Sequence, residues 1–201
     1  MKVAFTGAGG TGKSTMAMWL AEQYGIPYVG SVGREAFKQM GIENEAAQEN
    51  MSEQQLLALQ WLIFQLLQEK RSQHKHYVTD RLLFDNYVYG MRRCGNIVTE
   101  EQRKDWEDRS VEDLWSFDLV FYCPTGLFKT EADGMRVAAP GYQSLIDSAI
   151  YGLLCKHAFD RMAGHVYVLN MVDQRRKDWV KRLCDSVAEV SGIESPESGS
   201  L

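Results

Sequence analysis

No apolar run in the 201 residues approaches the roughly 18 that a membrane-spanning helix needs. The opening MKVAFTG enters a strand-like run without the long apolar region of a secretory leader. A soluble, cytoplasmic protein with no membrane partner is expected. Cysteine is sparse and scattered: Cys94, Cys123, Cys155 and Cys184 include no Cys-x-x-Cys pair, which argues against a zinc site or redox motif and for reduced, partly buried thiols. Histidine supplies one close pair, His74 and His76, with no nearby third ligand, so surface histidines are expected there rather than a metal centre. Neither an internal repeat nor a dividing linker is present. Positive charge is also in short supply. With 22 Lys+Arg against 27 Asp+Glu the formal net charge is −5, which weighs against a broad nucleic-acid-binding surface but leaves room for a local basic groove.

What remains is ordinary globular material, 45% hydrophobic and 24% charged, enough for one packed core. Residues 1–192 are expected to form a single domain, followed by a flexible acidic tail at 193–201, rich in Ser, Glu, Gly and Pro. Short apolar runs alternate with longer helical patterns, the signature of a parallel α/β sheet wound by crossover helices. The strands are expected at Val3–Thr6, Ile26–Val29, Tyr77–Asp80, Leu119–Cys123 and Val166–Leu169. Helices are expected over Ser14–Tyr24, from Ser52 towards Ser72, from near Tyr142 to Met162, and from an Asp173 cap to just before Gly192. Ser52 with Gln55, and Thr99 with Gln102, have capping-box spacing, and Ser110 to Trp115 suggests a separate helical turn. In the 52–72 helix an apolar stripe of Leu56, Leu59, Ile63, Leu66 and Leu67 is widened by Leu57, Trp61 and Phe64. Part of it is expected to face either a pocket or a second copy of the chain, which makes a homodimer one alternative.

The strongest motif is Gly7-Ala8-Gly9-Gly10-Thr11-Gly12-Lys13-Ser14, a full match to G-x-x-x-x-G-K-[ST] set between a strand and a helix. The glycines let successive backbone N–H groups turn inward, and the helix N-terminus adds positive potential, so the segment suits a polyphosphate. Lys13 is expected to reach the outer phosphates, the Ser14 hydroxyl to help hold Mg²⁺, and Thr15 to touch an inner phosphate.

Phosphate loops serve kinases, GTPases and motor ATPases alike, so a second motif must decide. There is no Asn-Lys-x-Asp guanine signature and no pair of acids after four apolar residues. Instead the third strand runs out as Tyr77-Val78-Thr79-Asp80-Arg81, followed by Leu82-Leu83-Phe84-Asp85-Asn86-Tyr87-Val88-Tyr89. At a carboxyl strand end beside a phosphate loop, Asp80 suits a metal-orienting or proton-accepting role, and Arg81 suits a phosphate or acceptor clamp. Asp85 is the alternative base.

Through Gly7–Thr15, Ser31–Gly41, Thr79–Tyr89 and Asp133–Arg136, the chain resembles the P-loop nucleoside and nucleotide kinases, particularly the nicotinamide riboside kinase-like group common in phage genomes. The resemblance implies a five-stranded parallel sheet of order 2-3-1-4-5 flanked by helices, with a lid between strands four and five, here about residues 125–142. It further implies that Arg136 in Asp133-Gly134-Met135-Arg136 neutralises the transferred phosphoryl group. Arg175 or Arg176 would lie near the adenine. The Ser31-to-Phe37 segment, with Ser31 and Arg34, would meet the acceptor. Many relatives carry an acidic base where this chain has Gly30-Ser31, which moves the expected base to Asp80 or Asp85. Trp61, Phe64, Tyr87 and Tyr89 are candidates for a wall that stacks on a base, although aromatics at helical spacing also build cores.

These features lead to an expected ATP- and Mg²⁺-dependent phosphotransferase acting on a small nucleoside, nucleotide or related pyrimidine hydroxyl. Phage members of the group can phosphorylate a hydroxymethylated base within DNA, so a 5-hydroxymethyluracil-type base in modified DNA is the alternative acceptor, with Lys70-Arg71 and Arg92-Arg93 available to a strand. A nucleotide-dependent switch or binding ATPase is the third reading.

Overall fold

The computed structural model describes residues 1–30, 32–43, 46–128, 140–158 and 165–193. Strand β1 (Lys2–Thr6) lies at the centre of a five-stranded parallel sheet, with β2 (Tyr28–Val29), β3 (Tyr77–Thr79), β4 (Leu119–Tyr122) and β5 (Val166–Val168). The order is β2-β3-β1-β4-β5, as the resemblance implies. Val3 registers with Val78 on one side and Leu119 on the other. β1, β3 and β4 are apolar on both faces because helices cover both.

Seven helices wind around this sheet among the described residues: α1 (Lys13–Tyr24), α2 (Val32–Gln39), α3 (Glu53–Ser72), α4 (Leu83–Cys94), α5 (Glu100–Trp115), α6 (Pro140–His157) and α7 (Asp173–Ser191). One face packs β1, β3 and β4 side chains against α1 and α7 through Phe5, Leu20, Phe121 and Val180. The other packs them against α3 to α6 through Leu59, Leu67, Leu83, Trp106 and Ile150. Both expected capping boxes form, Ser52 with Gln55 at α3 and Thr99 with Gln102 at α5.

Several boundaries differ from those expected. The third strand stops at Thr79, which leaves Asp80 on the turn beyond it. Ser110–Trp115 is no separate turn: its serine hydroxyl donates to the Trp106 carbonyl, and α5 runs unbroken from the Thr99 cap. Asp173 does not cap α7; the flanking residue is Val172, and Asp173 is itself the first helical residue at φ 58°. The wide apolar surface of α3 is used within the chain, packed against α2, α4 and β2. The expected lid core at 129–139, the end of the expected Tyr142–Met162 helix and the tail beyond residue 193 lie outside the described residues.

A buried ion pair sets the turn between β3 and α4. Arg71 of α3 meets Asp113 of α5 at 2.7 Å, with side chains only 5% and 10% exposed. Arg71 also donates to the Arg81 carbonyl, while Asp113 accepts from the Leu83 N–H at 2.8 Å. Two helices thereby hold the three-residue turn that carries Asp80 and Arg81.

Candidate active site

The phosphate loop leaves β1 after Thr6 and enters α1 at Lys13. Gly7 has φ +131°, and a Cβ there would lie 2.4 Å from the Cys123 carbonyl oxygen, so a side chain would push the loop off β4. Lys13 is buried inside the loop, where its ammonium donates to the Ala8 carbonyl and to Thr11 Oγ1. Burial, helped by the nearby Arg81 charge, lowers its pKa from 10.5 to about 8. Gly9, Gly10 and Gly12 complete the curl, with Gly10 and Gly12 at φ 76°. Thr15 is exposed on the first turn of α1.

Arg176 is almost fully buried behind the loop. Its guanidinium donates to the Thr11 carbonyl at 3.3 Å and to Cys123 Sγ at 2.7 Å, and lies 5.3 Å from the Phe128 ring centroid. Its expected role on a purine therefore gives way to bracing the phosphate loop. Arg175 points outward on the exposed face of α7.

Asp80 stands where the loop opens. Its Oδ2 accepts from the Ser14 hydroxyl and, at 2.8 Å, from the Tyr28 hydroxyl, while Oδ1 is buried with no hydrogen-bond partner among the described residues. Tyr28 was not foreseen. Its ring passes so close to Gly30 that a Cβ at 30 would fall 2.0 Å from the hydroxyl oxygen. Gly30 thus leaves the space that the Tyr28 phenol occupies. Burial and the Asp80 carboxylate push that phenol well above its ordinary pKa, so it is a neutral donor.

Asp85 is placed differently from the expectation. Thr6 Oγ1 and the Gly7 N–H donate to its Oδ1 at 3.0 and 3.2 Å, and the Leu82 N–H donates to Oδ2 at 2.6 Å. Three donors engage this carboxylate, which makes it a tie between the start of the phosphate loop and the start of α4 while it also lines the neighbouring cavity. Burial raises its pKa, opposed by Arg81 and Lys13.

A cavity of about 400 Å³ runs from Gly9 and Ser14, past Asp80 and Arg81, to α2, α3, α4 and α6. Arg81 lies over the Tyr89 ring at 5.7 Å, with Nη1 buried and without a hydrogen-bond partner among the described residues. Of the expected aromatic wall only Tyr89 lines the cavity. Trp61, Phe64 and Tyr87 belong to the core: Trp61 stacks on Trp106 at 4.8 Å, Phe64 is fully buried, and the Tyr87 hydroxyl donates to Glu107. Arg34 lines the cavity from α2. Ser31 and Arg136 lie outside the described residues. The cavity's apolar wall is instead Phe37, Ile63 and Leu67, with Arg93 and, missed by sequence reasoning, Gln60 and Asn86 as polar groups. The available signal was a polar side chain on an otherwise apolar helix face, as at Gln60 between Leu59 and Ile63.

Ser14 Oγ and the Asp80 carboxylate form a small set of hard oxygen donors with one unsatisfied lone-pair site, which fits Mg²⁺ held mainly by phosphate and water. Among the described residues no cluster of three His, Cys, Asp or Glu side chains forms a protein-only metal cage, and a phosphate-borne Mg²⁺ does not need one.

The sequence profile of the AAA domain family matches residues 2–169. The chain belongs to the AAA domain family. No curated protein sequence matches it. Among solved structures, deoxyadenosine kinase from M. mycoides with products dCMP and a flexible dCDP bound aligns at TM-score 0.68 and 15% identity, over 93% of this chain and 100% of that one. The NadR protein in complex with NR aligns at 0.63 and 15%, over 99% of this chain but 54% of that one, so the chain spans about half that protein's length. YorR from Bacillus subtilis in complex with phosphorylated GDP aligns at 0.57 and 14%, over 96% and 99%. At these identities the likeness establishes the fold, which is that of P-loop nucleoside and nucleotide kinases.

Proposed function

We propose that this AAA-family chain is a Mg²⁺- and ATP-dependent phosphotransferase that moves the γ-phosphate of ATP to a hydroxyl of a nucleoside, nucleotide or related pyrimidine. One observation carries the reading: the phosphate loop and the cavity are continuous, and they meet at Asp80 and Arg81. A nucleotide-driven switch needs a loop but no such adjoining acceptor-sized cavity.

ATP with its Mg²⁺ supplies the phosphoryl group and an electrophilic phosphorus. The chain's residues do the remaining tasks. Backbone N–H groups of Gly9 to Lys13 and the Lys13 ammonium bind the polyphosphate. Ser14 would hold the Mg²⁺ side of it, with Asp80 orienting that hydroxyl through Oδ2. An acceptor hydroxyl would approach from the cavity; its oxygen would form the new bond to the γ-phosphorus as the bond to the β,γ-bridging oxygen breaks and ADP leaves, and its proton would pass to Asp80 Oδ1. Arg81 faces the charge that develops on the transferred group. Arg34 and Arg93 both line the cavity, which favours an acceptor that itself carries a phosphate.

Labelled-phosphate transfer to free nucleosides, nucleoside monophosphates and hydroxymethylated DNA tests the reading. Lys13→Ala should abolish transfer and leave the melting profile intact; full turnover in that variant contradicts the assignment. Transfer to modified DNA alone, with steep salt inhibition, would place the acceptor in a strand.

A further inference from the structure

Trp106 is fully buried on α5, in a place that Gly90 of α4 leaves open: a Cβ at 90 would lie 2.1 Å from the indole. Trp61 stacks against it and Tyr87 meets it edge-on at 5.9 Å, so the ring has no freedom to turn. An indole N–H only donates. It donates to Asn86 Oδ1 at 3.1 Å, which fixes which end of that carboxamide is oxygen. Asn86 Nδ2 then donates to Gln60 Oε1 at 2.9 Å and to the Gln60 carbonyl oxygen at 3.1 Å. Flipping Asn86 would set NH₂ against the indole N–H and oxygen against two oxygens, making all three contacts repulsive. Flipping Gln60 alone would set NH₂ against NH₂. The polarity is therefore settled along the chain from Trp106 outward. Gln60 turns Oε1 towards Asn86, and its Nε2, which has no partner among the described residues, is the end left for the cavity that Gln60 and Asn86 both line.

We propose that the Trp106–Asn86–Gln60 chain sets acceptor specificity, with Gln60 Nε2 as an oriented hydrogen-bond donor that selects a ring edge bearing a carbonyl oxygen over one bearing an amino group. The inference rests on the reading of the cavity as an acceptor site and names the acceptor class: a 4-keto pyrimidine or 6-keto purine in preference to its amino counterpart. A carbonyl satisfies Nε2. An amino group there meets donor with donor and leaves both groups unpaired against the cavity wall. Gln60 touches the acceptor, whereas Asn86 and Trp106 are positioning residues that act through it.

The test is calorimetric binding of matched pairs to the full chain: deoxyuridine against deoxycytidine and deoxyinosine against deoxyadenosine, each free and as the 5′-monophosphate. The wild type should bind the keto member at least about tenfold more tightly in one or more pairs. Gln60→Glu keeps an oxygen for Asn86 but offers no donor, so its preference should vanish or invert towards the amino member. Trp106→Phe keeps the ring and removes the N–H, so the keto/amino ratio should fall towards one while ATP affinity is retained. Gln60→Glu keeps the test decisive if Trp106→Phe does not fold. Equal or tighter binding of the amino members by the wild type overturns the proposal, as does an unchanged ratio in Gln60→Glu or no binding in any pair. Phosphate transfer is read separately. Transfer without keto preference overturns the selectivity alone, and keto-selective binding without transfer to any acceptor overturns the kinase reading alone.

Discussion

Asp80 and Asp85 lie within one short stretch of chain, yet their hydrogen bonds assign them different tasks. Asp80 keeps one oxygen without a partner among the described residues, beside Ser14, so it can orient metal or take a proton. Asp80→Asn should lower kcat by at least about a hundredfold with little change in ATP binding. Asp85 spends both oxygens on Thr6, Gly7 and Leu82. Asp85→Asn would turn an NH₂ towards one of those donors, costing about 1–3 kcal/mol and loosening the phosphate loop. Its melting temperature should fall and its KM for ATP rise; an unshifted melting curve with kcat lost would make Asp85 the proton acceptor instead. Lys13 supplies a pH-dependent counterpart. Its pKa of about 8 in the nucleotide-free protein is restored upward by bound polyphosphate, so the bound state holds more protons. ATP binding should therefore take up close to one proton near pH 9, and affinity should fall as pH rises above about 8. Calorimetry in buffers of different ionisation enthalpy reads this directly; no uptake at that pH contradicts a lowered Lys13 pKa.

At the scale of elements, the turn between β3 and α4 depends on α3 and α5. Breaking the Arg71–Asp113 pair by Asp113→Ala leaves a buried guanidinium unpaired and should cost about 3–5 kcal/mol. The double change Arg71→Met with Asp113→Leu should cost less than the two single changes summed, measured by denaturant unfolding; strict additivity would show that the pair is not coupled. The starts of α3 and α5 were legible because Ser52/Gln55 and Thr99/Gln102 are local signals, complete within four residues. The role of the aromatics was not. Helical periodicity places Trp61, Phe64 and Tyr87 on inward faces but does not say whether the inward face meets a cavity or another helix, and here α4 and α5 fill that space. Asp85 misled for a related reason: two of its three donors come from β1 and the loop after it, nearly 80 residues earlier in the chain.

For the whole molecule, alternating apolar runs revealed five strands, while the order β2-β3-β1-β4-β5 followed from the family resemblance rather than from the pattern itself. The phosphate loop was readable because its chemistry is contained in eight consecutive residues. The cavity is assembled from five α-helices, strand β2, the Ala46–Asn50 turn, the phosphate loop and the turn after β3, so Gln60, Asn86, Tyr28 and Arg93 become neighbours only once the sheet has brought those elements together. That assembly is what the kinase reading rests on, since it joins a phosphate loop to an adjoining cavity through Asp80. The fate of the γ-phosphate tests it most directly. With γ-labelled ATP, Mg²⁺ and a panel of nucleosides and nucleotides, the label should appear on an acceptor hydroxyl in the wild type and be lost in Asp80→Asn. Label released only as orthophosphate, at a rate indifferent to every acceptor, would contradict the account.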